Sequence, residues 1–405
     1  MKLEKLKENR RQILQFAVEL LVVSVIALIF IIVGNKVCDY TPGGVGESGV
    51  ESAKIINLVE EKKENIDGLE TTVIVFEAEL LSGEQKGQVA QMEQMITDVT
   101  IDKPNPVEQG DRILVSNTDL MGNGMETSQW YYLQQNRIPG MLWLGGVFLI
   151  LVLIIGKLKG LTTIISLAFT GAAVFGVYIP AILSGKNVYL TTIIITVFII
   201  FASLIILNGC NKKTWCAIVG NLGGILVTGA LALVVNNALK ITGMVDEDYV
   251  FLAALGDGAS VDLRAIVWSS IIIGSLGAIM DVSMSIASAM RELALEMKDR
   301  SVKRMIASGM NIGRDAIGTM TTTLVLAYAG GSIASILLFT LNNRNLLVLM
   351  NFEMVVVEVI QAIVGSLGIL LAVPITVFVA AWLFNPKKQA VPEAEISREA
   401  RDGER

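Results

Sequence analysis

The chain has 405 residues, of which 53% are hydrophobic and 17% charged. Long apolar runs in this proportion exclude an ordinary soluble domain and indicate a membrane protein with several spans. Histidine is absent, the net charge is only −6, and the three cysteines have no metal-binding spacing. No phosphate-binding glycine–lysine motif is present, which argues against an ATPase. We therefore expect no metal, no cofactor, no disulfide and no nucleic-acid partner.

The first apolar segment runs from about Ile13 to Val33, which is long enough to cross a bilayer. Basic residues precede this segment, and no small-residue cleavage site follows it. We interpret residues 1–34 as a cytoplasmic N-terminus followed by an uncleaved transmembrane anchor. A signal peptide that is removed is the alternative interpretation.

Residues 35–139 form a polar stretch that we expect on the outer side of the membrane. Its centre alternates in the manner of a strand, with Ile74, Phe76, Ala78 and Leu80 on one face. Turn-forming stretches and further short strands follow. The pattern predicts a small extracytoplasmic β-rich domain, which would serve either as a structural cap or as a binding module.

Residues 140–385 contain seven further apolar segments. They lie at about 141–156, 161–183, 189–207, 215–237, 264–289, 315–341 and 352–384. Basic residues cluster in alternate loops, and an acidic turn lies between the fifth and sixth spans, as the positive-inside rule requires. The sequence thus predicts an all-α polytopic membrane domain with about eight transmembrane helices, both termini cytoplasmic, and a disordered tail over 386–405.

The sixth, seventh and eighth spans carry polar and small residues at helical spacing. These stripes are Gly274, Gly277, Asp281, Ser285 and Ser288 on the sixth span, Asp315, Thr319, Thr322, Leu326 and Gly330 on the seventh, with Thr321 and Thr323 beside them, and Glu358, Gln361, Gly365 and Gly368 on the eighth. Close helix packing accounts for the glycines and hydroxyls. It does not account for Asp281 and Glu358, because an intramembrane carboxylate is costly.

We therefore expect the three stripes to converge on a pathway for an ion or small solute. The candidate pathway residues are Asp281, Ser285, Asp315, Thr319, Thr322, Thr323, Glu358 and Gln361. Asp281 should lie in the seam between the helices, close to the threonines. Asp257 and Asp262 either form an anionic outer mouth or serve the turn, with Asp262 capping the sixth helix.

Three long segments resemble a known family. They read LGDGASVDLRAIVWSSIIIGSLGAIMDVSMSIASA, SGMNIGRDAIGTMTTTLVLAYAGGS and NFEMVVVEVIQAIVGSLGILLAVPITVFVAA, with a looser likeness at GEQKGQ, GDRILV and KGL. The chain resembles the YibE/F-like family of bacterial multi-pass membrane proteins. The resemblance implies a permease-like integral protein of the bacterial plasma membrane, and it implies no particular substrate, cofactor or catalytic residue.

Three classes of function remain open at this point. The leading interpretation is a transporter of unknown substrate, coupled to a proton or cation through Asp281. The alternative is a non-catalytic scaffold or partner subunit whose outer domain binds a protein or envelope component. Intramembrane proteolysis would require Asp281 and Asp315 to face each other at one depth. Because we expect these residues to differ in depth by a helical turn or two, we do not expect an enzyme.

Overall fold

The structure is a computed structural model of the chain, and it describes residues 2–38, 50–66, 69–97, 104–118, 126–254, 261–297, 301–342 and 345–384. The chain divides into two compact units. One contains residues 41–156, and the other contains residues 1–40 together with residues 157–405. The predicted tail over 386–405 and the candidate residue Asp257 lie outside the described residues.

The first unit contains a five-stranded antiparallel sheet. Its strands are β1 (Val50–Ile66), β2 (Leu69–Leu80), β3 (Val89–Thr97), β4 (Arg112–Thr118) and β5 (Glu126–Gln135). They are arranged in the order β3-β2-β1-β4-β5, and β3 and β5 also contact each other, so the sheet curls toward a barrel. The prediction of β structure in this region is confirmed.

The alternation of β2 builds the core of the sheet. Phe76, Ala78 and Leu80 are fully buried and Ile74 is 5% exposed, because side chains two apart in a strand share one face. Gln94 from β3 is also buried. Its side-chain amide donates a hydrogen bond to the carbonyl oxygen of Asn105 and accepts one from the backbone N–H of Val107, in the segment before β4. The core of the sheet therefore contains apolar side chains together with one buried amide that is hydrogen-bonded on both its nitrogen and its oxygen.

The rest of the described chain is helical. The helices are α1 (Lys2–Cys38), α2 (Ile138–Ala173), a π-helical turn (Val174–Tyr178), α3 (Ile179–Leu183), α4 (Val188–Asn208), α5 (Lys212–Ala238), α6 (Glu247–Ala254), α7 (Leu263–Glu296), α8 (Val302–Gly331), α9 (Ile333–Asn342), α10 (Leu346–Leu349) and α11 (Glu353–Leu383). Asparagine side chains cap α4 and α5, at Asn187 and Asn211. Helices α5, α7 and α11 pack together at the centre of the second unit.

Six helical stretches in the described part of the chain are long and apolar enough to cross a membrane. They are Ala17–Cys38, Ile138–Leu183, Val188–Asn208, Lys212–Ala238, Leu263–Glu296 and Glu353–Leu383. The sequence predicts eight spans, and the difference arises at two places.

The first place is the 46-residue stretch Ile138–Leu183, for which the sequence predicts two spans. Within α2 (Ile138–Ala173), two helices meet at Lys157, whose backbone is non-helical, with φ 52° and ψ −125°. The basic segment that predicts a loop between two spans therefore coincides with a break between two helices. A continuous helix of this length would measure about 69 Å, roughly twice the hydrocarbon core of a bilayer.

The second place is the predicted seventh span at 315–341. Helix α8 begins at Val302 and ends at Gly331, and a separate helix, α9, follows. The 30 residues of α8 are long enough to cross a bilayer. The helix carries Lys303, Arg304, Arg314 and Asp315, however, and its composition is too polar for it to be one of the candidate membrane spans. The first half of α8 contains the poor helix formers Gly309 and Gly313, which lie in close contact with Met290 and Val373, so packing against α7 and α11 stabilises this part of the helix.

Candidate functional site

The helices that carry the predicted polar stripes, α7, α8 and α11, all contact one another. This confirms the prediction that the three are neighbours. The direction in which each polar face points then decides which of the candidate residues can act together.

Small residues allow α11 to approach α5 closely. A methyl group on Gly224 of α5 would lie 2.9 Å from Ala372 Cβ and 3.2 Å from the carbonyl oxygen of Gly368. A methyl group on Gly368 would collide with the Thr228 hydroxyl and lie 2.9 Å from Ile279 Cδ1. No side chain fits at these positions, so the glycine stripe of α11 serves helix packing.

The contacts between α7 and α8 define an antiparallel register. They join Met290 to Gly309, Ile286 to Gly313, and Gly274 to Tyr328. In this register Asp281 is level with Thr319, and Ser285 is level with Asp315. Asp281 lies about 22 Å from the C-terminal end of α7, near the middle of the helix. Asp281 is therefore level with Thr319, while Thr322 and Thr323 lie about one turn farther along α8.

The polar faces of α7 and α8 point outward from the bundle. Six of the candidate pathway residues are exposed, namely Asp281, Ser285, Asp315, Thr319, Thr322 and Thr323. The expectation that Asp281 is buried in the seam is not met. Helix α7 turns its apolar face, which includes Ile279, Val282 and Ile286, toward the bundle core, and the opposite face is left outward.

The three threonines of α8 bond within their own helix. Their hydroxyls donate to the carbonyl oxygens of Ala316 (3.1 Å from Thr319), Gly318 (2.9 Å from Thr322) and Thr319 (2.9 Å from Thr323). Among the described residues, no hydrogen bond or ion pair reaches the Asp281 carboxylate. The outward faces of α7 and α8 thus present the carboxylates of Asp281 and Asp315 beside hydroxyls that keep acceptor capacity.

The polar residues of α11 point inward instead. The Gln361 amide donates a 2.8 Å hydrogen bond to the Ser270 hydroxyl of α7. The Ser270 hydroxyl in turn donates to the carbonyl oxygen of Val267. This polar contact ties α11 to α7, and both side chains are half-buried.

Glu358 lines a cavity of about 160 Å³ between α8, α9 and α11. The other lining groups are mostly apolar, with Tyr328, Ser332 and Ser335 as the polar exceptions. The Ser332 hydroxyl is already engaged with the backbone carbonyl of Tyr328 at 3.1 Å. Glu358 is therefore the acidic residue among the groups that line this largely apolar cavity.

The phenol of Tyr328 is the second distinctive group at this cavity. Its hydroxyl is buried without a hydrogen-bond partner among the described residues, and it lies against the backbone of Gly274. Glu358 is within electrostatic range of Tyr328 and of Tyr249 on α6. Of these two tyrosines, Tyr328 lines the cavity, and an acidic residue beside one aromatic ring in a largely apolar cavity is suited to binding a cation.

A second glutamate, Glu353, lies one turn earlier on α11 and has a structural role. Its carboxylate accepts hydrogen bonds from the Thr242 backbone (2.8 Å), the Thr242 hydroxyl (2.8 Å) and the Gly243 backbone (2.6 Å). It thereby fixes the loop that connects α5 to α6. Glu358, in contrast, has no hydrogen-bond partner among the described residues.

Asp262 caps α7. Its carboxylate accepts a 3.1 Å hydrogen bond from the Ala265 backbone, as an N-cap residue does. Capping the helix is a sufficient structural role for Asp262, so the anionic outer mouth is not needed to explain this residue. Asp257, the other residue of the predicted mouth, is not among the described residues.

Asn221 and Ser283 are among the buried polar residues that the sequence analysis did not identify. Asn221 of α5 and Ser283 of α7 are fully buried, and neither side chain has a hydrogen-bond partner among the described residues. The contacts of Gly224 with Ile279 and of Gly229 with Ile272 make Asn221 level with about residue 282. The sequence did contain a signal for Asn221, because an asparagine within the apolar run WCAIVGNLGGILV indicates a buried polar side chain.

The described residues contain no group of three acidic, cysteine or histidine side chains that could hold a metal ion. The cysteines Cys38, Cys210 and Cys216 are free.

The long apolar helices define a polytopic integral membrane protein. Residues 144–386 match the sequence pattern of the family described as YibE/F-like protein, which covers more than half of the chain. The chain belongs to the YibE/F-like family. No curated protein and no solved structure gives a significant match.

Proposed function

We propose that this protein is a transporter that moves a small cation across the membrane. The observation that carries the proposal is Glu358, which lines a 160 Å³ cavity beside the buried, unpartnered Tyr328 hydroxyl. A cavity of about 150 Å³ accommodates a molecule the size of benzene. A carboxylate and the aromatic ring of Tyr328 then favour a monovalent inorganic cation or a small ammonium ion.

Asp281 is the proposed coupling residue. It lies near the middle of α7, level with Thr319, and has no counter-charge among the described residues. A carboxylate at the centre of a membrane helix costs about 2.5–3.5 kcal/mol on insertion scales, and such residues concentrate at ion and proton pathways. The adjacent α8 hydroxyls supply the uncharged oxygen atoms that a cation or a proton-bearing water needs.

A scaffold or partner subunit is the second candidate function, and the outward direction of Asp281 favours it. A polar stripe that faces away from its own bundle is explained if another protein covers it. In that case the β-rich unit would bind a protein or envelope component. Proteolysis finds less support, because Asp281 and Asp315 are about 6 Å apart along the helix axes and both point outward.

The proposed topology has eight spans with both termini in the cytoplasm of a bacterial plasma membrane. The stretch 138–183 would divide at Lys157, and α8 would provide a polar span lined by its neighbours. The length of that stretch and the loop charges support this arrangement.

The test is uptake into liposomes that contain the purified protein. Protons, Na⁺, K⁺ and methylammonium are the probes, read by an internal pH dye and by isotope counting. We expect uptake of at least one cation, loss of uptake in Glu358→Gln and Asp281→Asn, and normal uptake in the exposed control Glu247→Gln. Thermal unfolding of each variant separates loss of function from loss of structure. The proposal fails if the wild type moves none of these cations, or if Glu358→Gln transports normally.

A further inference from the structure

A second cavity lies at the opposite end of the helical unit from Glu358. It has a volume of about 320 Å³ and is bounded by the start of α5, the end of α7 and Phe384 after α11. Three basic residues line it: Lys212, Lys213 and Arg291. This end carries the loops that the charge pattern predicts to be cytoplasmic.

The basic residues at this cavity are poorly neutralised. Lys213 is half-buried, and its electrostatic neighbours are Arg291, Lys159 and a single acid, Glu292. No ion pair involves Lys212, Lys213 or Arg291 in the part of the chain that the structure describes. Like charges held together in a partly buried site repel, and a bound anion would relieve the repulsion.

The backbone at the start of α5 adds donors to the same cavity. Asn211 caps the helix by accepting a 3.1 Å hydrogen bond from the Thr214 backbone. The N–H groups of Lys212 and Lys213 occupy the first turn, where an α-helix offers no carbonyl partner. Helix N-termini with this geometry bind phosphate groups, since the donors and the helix dipole both favour negative charge.

Apolar side chains lie beside these donors. Leu295, which lines the cavity, is 64% exposed, and Phe384 is half-buried next to it. Trp215, on the first turn of α5, is 45% exposed and packs edge-on against Phe201. Tryptophan at the end of a membrane helix is typical of the lipid–water interface.

We propose that this cavity binds the phosphate of an anionic phospholipid headgroup. Lys213 and Arg291 contact the phosphate together with the α5 backbone donors, and the acyl chains lie along Leu295 and the α5 surface. A soluble phosphate would share the polar contacts but leave the apolar side chains uncovered, which favours the lipid. Basic pockets between membrane helices are known to accept anionic headgroups. The proposal does not depend on the transport function.

The experiment uses the full-length protein in a mild detergent. Phosphatidylglycerol, phosphatidylcholine and inorganic phosphate are added separately, with the melting temperature and the bound lipid, counted by native mass spectrometry, as readouts. We expect phosphatidylglycerol to raise the melting temperature and remain bound, while the other two have little effect. Removing two basic contacts, in Lys213→Gln/Arg291→Gln, should weaken the apparent affinity for phosphatidylglycerol roughly 30-fold.

The matched control is Lys186→Gln/Arg264→Gln, which removes two exposed cations from the opposite end of the bundle and should retain normal binding. The charge-preserving variant Lys213→Arg/Arg291→Lys should also bind. If the first double variant does not fold, Arg291→Gln alone, at an exposed position, should still weaken binding. Unchanged phosphatidylglycerol binding in the cavity variants overturns the proposal. Equal stabilisation by inorganic phosphate would overturn the lipid assignment.

Discussion

The Tyr328 hydroxyl lies directly against the backbone of Gly274, so that the absence of a side chain on α7 makes room for a phenol from α8. The same phenol lines the Glu358 cavity. Gly274 therefore has a steric role that the helical spacing of the glycines could not distinguish from general close packing.

Gly274→Ala should displace the Tyr328 hydroxyl and change the cavity. Overpacked sites of this kind lose about 1–3 kcal/mol of stability, and cation uptake should fall as well. Gly277→Ala is the matched control, because nothing lies within 4 Å of a methyl group there. Thermal unfolding and uptake measure both effects, and equal behaviour of the two variants would contradict the steric role.

The hydrogen bond from Gln361 to Ser270 should couple α11 to α7 energetically. Gln361→Leu and Ser270→Ala each remove one partner, and a double-mutant cycle isolates their interaction. Interhelical hydrogen bonds in membranes average about 0.6 kcal/mol, so we expect a coupling of that order. Reversible unfolding in detergent provides the measurement. A coupling energy of zero would mean that the two side chains do not interact in solution.

The sequence predicted the sheet and the neighbouring helices but not the direction of the polar faces. Alternation in β2 was informative because one face of a strand is buried and the other is not. On α7, by contrast, both the apolar face and the face with Asp281 recur at helical spacing. Choosing between them requires knowing where α5 and α11 pack, and that information is tertiary. For the same reason, Glu358 and Gln361 point inward while Asp281 points outward, although all three belong to similar stripes.

Membrane topology can be tested by cysteine labelling in a background that lacks native cysteines. Cysteines near Asp246 and within the β-rich unit should react with an impermeant reagent added outside intact cells. Cysteines introduced between 291 and 297 should react only after the membrane is permeabilised, because basic loops remain cytoplasmic. External labelling at 291–297 would reverse the proposed orientation.

The stability of the β-rich unit should depend on the ionisation of Glu51. Burial, and then the negative charge of Glu84, raise the pKa of Glu51, and its Oε2 atom is buried without a partner among the described residues. A raised carboxyl pKa contributes stability that is present below the ordinary value of about 4.3 and is lost as the pH rises through the folded-state pKa.

Glu51→Gln should therefore stabilise the unit at pH 7 and have little effect near pH 4. The change can be followed by circular dichroism during denaturation of a fragment that contains residues 41–136. Glu77→Gln, at an exposed position of β2, is the control and should not change the pH dependence. If the fragment loses its β spectrum, the sheet does not fold alone, and the comparison moves to the full-length protein.

Replacing Asp281 with leucine should separate the two candidate functions. The change removes an intramembrane charge, which insertion scales value at about 2.5–3.5 kcal/mol, so the helical unit should insert and fold at least as well. If Asp281 couples transport, cation uptake is lost although the melting temperature is maintained or raised. If the outward stripe instead binds another protein, cross-linking through a cysteine at Ser285, one turn from Asp281 on the same face, should be lost in Asp281→Leu while any uptake persists. Ala334, exposed on α9, provides a control position for the cross-linking cysteine. A variant that keeps both uptake and cross-linking would leave Asp281 without either role.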